Sequence, residues 1–280
     1  MGDSTAPVKL LVADVDGTLL DPQKQLTERV RQSVLRVKEA GVRFTIISAR
    51  PPRAVNFLVD ALQITEPMAC FNGALICTPT YEILSQILME KDDASHVSTA
   101  ILDHGLDLWM FCGSEWFVSR LNGPHVEGHV KALNHFPRYL GQDYTMCTHV
   151  NKLVGVSDDF AAVKRCEADV IAACGSRISA TRSADYYLDV THRDANKGHA
   201  VTQLAEMMGV PLENVATIGD MPTDMLMFAR SGLSIAMGNA GSDVKAAADF
   251  ITASNTEHGV ACAIEDIITP RIAKTAGAQT

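Results

Sequence analysis

Nowhere in the 280 residues does an apolar run reach the roughly 18 residues that a membrane-spanning helix needs. No basic segment followed by an apolar one opens the chain, so no secretory leader is expected. Ala6 stands where a myristoylation signal carries Ser or Thr, and the polar segment Gly2–Ala6 reads as a frayed end. Basic clusters are missing too. With 24 basic against 33 acidic residues the formal net charge is -9, which argues against a nucleic-acid partner. An anion could still be held where a few cations, backbone N–H groups or a metal converge. The seven cysteines are odd in number, scattered and without a C-x-x-C pair, which argues against a disulfide framework and a structural zinc site. Buried reduced thiols in a cytoplasmic protein are the expectation. No internal repeat and no low-complexity segment occurs, and a polar tail is expected from Lys274 to Thr280.

What is present is the balance of a globular protein, 47% apolar and 20% charged. Val8–Ala13 reads as a strand buried on both faces. Thr27 is placed to cap a helix that carries Val30, Val34 and Val37 on one face and stops at Gly41. Val42–Ile47 is a second strand, and Pro51-Pro52 suits the start of a helix to about Leu62. Toward the C-terminus the same rhythm returns. Helices are expected over Gly198–Met208, Thr223–Arg230, Ser242–Ala248 and from Gly259 to about Ile268, and strands over Val215–Ile218, Leu233–Met237 and Phe250–Thr252. Alternating strands and helices predict an α/β fold, a doubly wound, Rossmann-like parallel sheet. The middle breaks the alternation. Both tryptophans fall there, with strand-like stretches over Tyr144–Val156 and Arg177–Val190 and a helix over Ala161–Ala173 between them. The reading is a discontinuous core, 1–82 and 189–280, with an α/β cap domain inserted at 83–188.

Asp14 and Asp16 lie two apart at the end of the first strand, so both side chains face one side, at the carboxyl end of the sheet where open α/β folds bind ligands. Two carboxylates this close stay ionised together only beside a cation. Gly17 permits a tight turn directly after them. Three further features end strands or start helices on the same crevice. Ser48, with the N–H of Ala49, offers donors to a phosphate oxygen. Lys197 precedes Gly198 at a helix start and offers positive charge. Gly219-Asp220-Met221-Pro222-Thr223-Asp224 adds two more carboxylates. Singly, each reads as a cap, a turn or a solvated lysine; their joint order is what points to phosphate chemistry.

In this order the four segments resemble the haloacid dehalogenase-like hydrolase superfamily, and most of all its Cof-type phosphatases with a large α/β (type IIB) cap. DVDGTLL and GDMPTDMLM carry the resemblance most strongly, and Phe71-Asn72-Gly73-Ala74 resembles a segment that precedes the cap there. It implies that Asp14 is the nucleophile, Asp16 the general acid and base, and Ser48 and Lys197 the phosphate clamp. It implies a magnesium site of the Asp14 side chain, the Asp16 carbonyl and Asp220, with Asp224 in support and Asn72 near the substrate. Two positions depart from the pattern. Thr223 replaces the usual Asn and loses two amide donors, and Ser48-Ala49-Arg50 replaces Thr-Gly-Arg but keeps the hydroxyl and the N–H.

The expected reaction is Mg2+-dependent hydrolysis of a small phosphate monoester, a sugar phosphate or related metabolite, through an aspartyl-phosphate. A phosphomutase or other phosphotransferase on the same scaffold is the first alternative, and a non-catalytic sugar-phosphate-binding regulator the second. A dinucleotide-binding protein is disfavoured, because no G-x-G-x-x-G follows the first strand. Expected partners are a small phosphorylated metabolite, with no nucleic acid and no membrane, in a monomer or weak homodimer. The cap should set substrate choice, with Trp109, Trp116, Arg120 and His125 as candidates against a plain packing role. His125 and His129 do not form a zinc-protease pattern and read as packing or surface residues.

Overall fold

The computed structural model describes residues 6–133, 135–141 and 149–272. The tail from Lys274, residues 2–5 of the polar start and residues 144–148 of an expected strand lie outside them. The chain opens with β1 (Leu10–Asp14), α1 (Glu28–Glu39), β2 (Arg43–Ile47), α2 (Asn56–Ala61) and β3 (Met68–Cys70). Next come β4 (Leu75–Cys77), β5 (Ile83–Gln86), α3 (Lys91–Asp103), β6 (Asp107–Cys112), β7 (Glu115–Val118), α4 (Val126–Leu133), β8 (Arg138–Tyr139), β9 (Lys152–Val156), α5 (Phe160–Cys174), β10 (Ile178–Ala184) and β11 (Tyr187–His192). The last stretch holds α6 (Lys197–Met207), β12 (Val215–Gly219), α7 (Met225–Phe228), β13 (Leu233–Ala236), α8 (Ser242–Ala246), β14 (Phe250–Ile251) and α9 (Gly259–Ala263). The described residues form two compact units, one of 6–48, 57–69 and 196–272, the other of 49–56, 70–133, 135–141 and 149–195.

In the first unit the strands lie in the order β14–β13–β12–β1–β2–β3, all pairs parallel. All five residues of β1 are buried, as expected of a central strand covered on both faces. Thr27 caps α1 by accepting the Val30 N–H, and Val30, Val34 and Val37 form its buried face. The strand expected over Val8–Ala13 starts later and takes in Asp14, so Asp14 is the last residue of the ladder rather than the first of the turn. Pro51-Pro52 begins a 3-10 turn over Pro52–Val55 before α2, and the helix expected over Thr223–Arg230 is a 3-10 turn at Pro222–Asp224 followed by α7. The final helix widens after Ala263 into a π turn over Ile264–Ile268.

In the second unit β4 and β5 form an antiparallel pair, and a six-stranded sheet runs β10–β11–β9–β6–β7–β8. Leu108, Met110, Leu153 and Leu188 on one face of this sheet join Val97, Ile101, Val163 and Val170 of α3 and α5 in an apolar core. The single strand expected over Arg177–Val190 is instead the hairpin β10–β11, which turns at Asp185-Tyr186. Its turn contains no Gly, Pro or Asn and carries Asp185 alone as a turn-forming residue, a weak signal between two strand-like runs.

The four candidate cap residues are all taken up inside this unit. Trp109 and Trp116 are buried, with ring centroids 5.0 Å apart, and His129 sits 4.8 Å from the Trp109 ring. Burial first, then the nearby Lys152 charge, pushes the His129 imidazole down to about 4, so it packs as a neutral ring. Arg120 forms a two-pronged pair with Asp107, and His125 stacks on Tyr186 at 4.0 Å while meeting Asp158 at 2.8 Å. Among the described residues no helix is long and apolar enough to cross a membrane.

Candidate active site

Asp14 and Ile47 pair in the β1–β2 ladder, so Ser48 leaves its strand beside Val15. Gly17 follows with φ +85°, a conformation that suits glycine. A Cβ added there would stand 2.3 Å from Asp220 Oδ2, so the missing side chain is also what lets the Asp220 carboxylate approach the turn. Thr18 fixes that carboxylate by donating its hydroxyl to Asp220 Oδ1 at 2.8 Å.

Asn196 caps α6 by accepting the His199 N–H, which leaves Lys197 as the first helical residue. Its Nζ donates to Asp14 Oδ1 at 2.6 Å and to Asp224 Oδ1 at 2.5 Å. Two glycines make this approach possible. A Cβ on Gly198 would meet Leu226 O at 2.5 Å, and one on Gly219 would meet Asp224 Cγ at 2.5 Å. Asp224 folds back under the end of β12 and accepts the N–H groups of Asp220 and Met221 on Oδ2, each at 2.8 Å. Asp224 therefore holds the turn that presents Asp220.

Asp14, Asp220 and Asp224 bring carboxylate oxygens within 4.8 Å of one another, and all three are buried. Three acids against the one ammonium of Lys197 leave two negative charges uncompensated when all are ionised. Burial pushes Asp14 up to about 8 against the opposing pull of Lys197, and pushes Asp220 up to about 6. For Lys197 burial acts downward, but Asp14 and Asp224 outweigh it and raise the ammonium above its ordinary value. An all-oxygen donor set with this excess charge fits a hard dication. Asp224 accepts from Lys197 on Oδ1 and from two N–H groups at 2.8 Å on Oδ2, whereas Asp14 meets Lys197 on Oδ1 and Asp220 meets Thr18 on Oδ1 with only a 3.4 Å approach from Asn239 on Oδ2, so Asp14 and Asp220 are better suited to ligate a metal.

The charge balance has a sign that can be measured. Above about pH 4 the metal-free fold keeps protons that the unfolded chain has released, on Asp220 up to about pH 6 and on Asp14 up to about pH 8. Stability contributed by these groups is therefore lost as pH rises through that window. A bound dication replaces the protons, so stabilisation by magnesium should grow with pH. At one Mg2+ concentration, about 100-fold above the Kd at pH 8, Tm should rise by roughly 5 °C at pH 8, and by less than half of that at pH 5, where protons compete for the same carboxylates. Equal shifts at both pH values, in melts with Mg2+ and with EDTA, would contradict the charge account.

Asp16, Ser48 and Thr223 belong to the same unit as this group. Asp16 is half-buried and pairs with Lys24 Nζ at 2.8 Å. Ser48 is buried at the end of β2, and Thr223 is exposed on the 3-10 turn before α7. Ala49 and Asn72 belong to the second unit. Asn72 is the middle of three successive residues of positive φ, Phe71, Asn72 and Gly73, a strained backbone for the buried Phe71. Asn239 was not among the expected residues. It donates to Gly17 O at 2.9 Å and reaches Asp220 Oδ2 at 3.4 Å. Its signal was positional: Gly238-Asn239 follows a buried strand at the same sheet end as Asp14, Ser48 and Asp220.

A family model described as haloacid dehalogenase-like hydrolase matches residues 11–264. A putative phosphatase of Bacillus subtilis is 29% identical over 275 residues, spanning 93% of this chain and 98% of the relative. A 5-amino-6-(5-phospho-D-ribitylamino)uracil phosphatase of the same organism is 25% identical over 291 residues, spanning 95% of this chain and all (100%) of the relative. Among solved structures, a haloacid dehalogenase-like hydrolase from Bacteroides thetaiotaomicron superposes with a TM-score of 0.85 at 28% identity, covering 93% of this chain and 99% of that one.

Proposed function

Because the chain belongs to the haloacid dehalogenase-like hydrolases, in their Cof-type branch, and is with them a phosphoric monoester hydrolase, we propose that it hydrolyses a small phosphorylated metabolite through a phospho-enzyme on Asp14. The observation that carries this reading is the Lys197 ammonium bridging Asp14 and Asp224 at the end of β1, with the Asp220 carboxylate in the same cluster. A nucleophile, a phosphate-binding cation and oxygen donors for a metal are thereby gathered at one strand end.

In the first half-reaction an Asp14 oxygen attacks phosphorus. The bond from Asp14 to phosphorus forms as the ester oxygen leaves, and Asp16 gives that oxygen its proton. In the second half-reaction Asp16 takes a proton from water, whose oxygen attacks phosphorus, and Asp14 and inorganic phosphate are released. Lys197, the Ser48 hydroxyl and the Ala49 N–H hold the phosphoryl oxygens, and Asn72 contacts the substrate. Asp14, the Asp16 carbonyl and Asp220 would hold Mg2+, with Thr223 and Asp224 supporting the loop that carries Asp220. When bound, magnesium neutralises the charge that would keep a carboxylate and a phosphate apart. The core is assigned to 1–82 and 189–280, and the cap at 83–188, which falls within the second unit, is assigned the choice of substrate.

The relative that acts on 5-amino-6-(5-phospho-D-ribitylamino)uracil cleaves a phosphate from a polyol chain, which supports a sugar or polyol phosphate here. Phosphate release from p-nitrophenyl phosphate should fall to background with EDTA and return with Mg2+. A panel of phosphorylated metabolites, read for free phosphate and for isomerised product, separates a hydrolase from a mutase. Isomerised product without free phosphate would overturn the hydrolytic reading.

A further inference from the structure

Asn239 touches the backbone of the turn after Asp16 and the side chain of Asp220, the two places that carry candidate metal ligands. Its amide nitrogen donates to Gly17 O at 2.9 Å, in the turn after Asp16, and lies 3.4 Å from Asp220 Oδ2. The orientation of this amide is set from outside the cluster, because its oxygen accepts the Asn255 N–H at 3.0 Å. The oxygen end is thereby fixed on Asn255, and the two N–H donors must face Gly17 and Asp220. Gly238 makes that contact possible. The Gly238 N–H pairs with Ala253 O, and a Cβ on Gly238 would stand 2.6 Å from the Ser254 nitrogen, so only glycine lets the 253–255 segment lie this close. Asn255 in turn donates its side chain to Leu20 O at 2.9 Å, on the far side of the same turn. Asp220 is consequently held on one oxygen by Thr18 and on the other by Asn239.

We propose that Asn239 is a positioning residue that locks the Asp220 carboxylate to the Asp16-Gly17 turn and thereby sets the affinity for magnesium. The inference rests on the reading of Asp14, Asp220 and the Asp16 carbonyl as the magnesium ligands. Without Asn239, Asp220 loses one of its two constraints and the Gly17 carbonyl loses its donor. The ligands then have to be ordered by the ion itself, and that ordering weakens binding. Groups that orient a metal ligand typically change affinity 10- to 100-fold. Asn239 itself is exposed, so its loss should sit near the lower end.

The test is calorimetric titration of the full chain with MgCl2 in the absence of substrate. Asn239→Ala should bind Mg2+ about 10-fold more weakly than wild type. Asn239→Ser, too short to reach Gly17 O or Asp220, should do the same and guards against a folding failure of the first variant. Asn255→Ala keeps the backbone N–H that orients Asn239, so its Mg2+ affinity should stay within about 2-fold of wild type. Phosphate release by Asn239→Ala should be lost at low Mg2+ and largely recovered at saturating Mg2+, a split that a general loosening of the fold would not produce. Unchanged Mg2+ affinity in both Asn239 variants overturns the inference alone. So does an Asn255→Ala variant that weakens binding as much as Asn239→Ala, because the effect would then belong to the whole 253–255 segment. Wild type that shows no saturable Mg2+ binding overturns the magnesium reading and this inference with it.

Discussion

Asp14→Asn should lower the rate of phosphate release by on the order of 10⁴-fold or more while the protein stays folded. The substitution is close to isosteric, and the amide oxygen still accepts the hydrogen bond that Lys197 now donates to Asp14 Oδ1. What is removed is the anionic nucleophile. One of the three clustered acids also disappears, and with it a buried carboxyl group that burial and its acidic neighbours Asp224 and Asp220 disfavour in the charged form. Tm should therefore hold or rise in the metal-free protein even as turnover vanishes. A variant that retains more than a few per cent of wild-type turnover would mean that another group attacks phosphorus. Scans of Tm and initial rates on p-nitrophenyl phosphate read both halves of this prediction.

Lys197→Met should cost both activity and stability. Lys197 is 3% exposed, and its ammonium is held between Asp14 and Asp224, which are 4% and 0% exposed. Methionine preserves much of the volume but leaves two buried carboxylates without their cation. Removing one partner of a buried ion pair typically costs about 3–5 kcal/mol, which for a chain of this size lowers Tm by roughly 10 °C. Activity should fall by about 10³-fold, because the same ammonium is assigned to the transferring phosphoryl group. Lys197→Arg should not rescue it, since a planar guanidinium does not fit the converging geometry of one nitrogen between two carboxylates. A Lys197→Met protein with wild-type Tm would contradict the buried bridge.

The parts of the site that were legible in the sequence are those set by local spacing. Asp14 was readable as the end of a buried strand and Gly17 as the tight turn after it, whereas Asp16 lies past the end of β1, where the two-residue period of a strand no longer places its side chain. Asp220 and Asp224 were readable as a pair after a buried strand, and the family resemblance gave Asp220 to the metal and Asp224 to its support, but the contacts that Asp224 makes were not readable. Only the folded chain brings Lys197 to Asp224 across 27 residues and turns the Asp224 carboxylate back onto the Asp220 N–H. Asn239 escaped for the same reason: its partner Asp220 is 19 residues earlier, and a Gly-Asn after a strand reads first as a turn. In the core, regular alternation of strand and helix made the parallel sheet readable, although element ends moved where prolines favoured 3-10 turns. The second unit was harder. The β10–β11 hairpin has only Asp185 as a turn-forming residue, and Trp109, Trp116, Arg120 and His125, candidates for substrate contact weighed against a packing role, are engaged in stacking and pairing within the unit.

The central claim is that phosphorus becomes bonded to Asp14 during turnover. In Asp16→Ala the acid is missing, but p-nitrophenolate leaves without needing a proton, so the first half-reaction should proceed while activation of water is impaired. The aspartyl-phosphate should then accumulate, and reduction with borohydride should convert position 14 to homoserine, detectable in the mass of the peptide that contains it. Homoserine at position 14, dependent on substrate and Mg2+, is the result this account predicts. Steady release of phosphate with position 14 unmodified, or with the label at another residue, would contradict it.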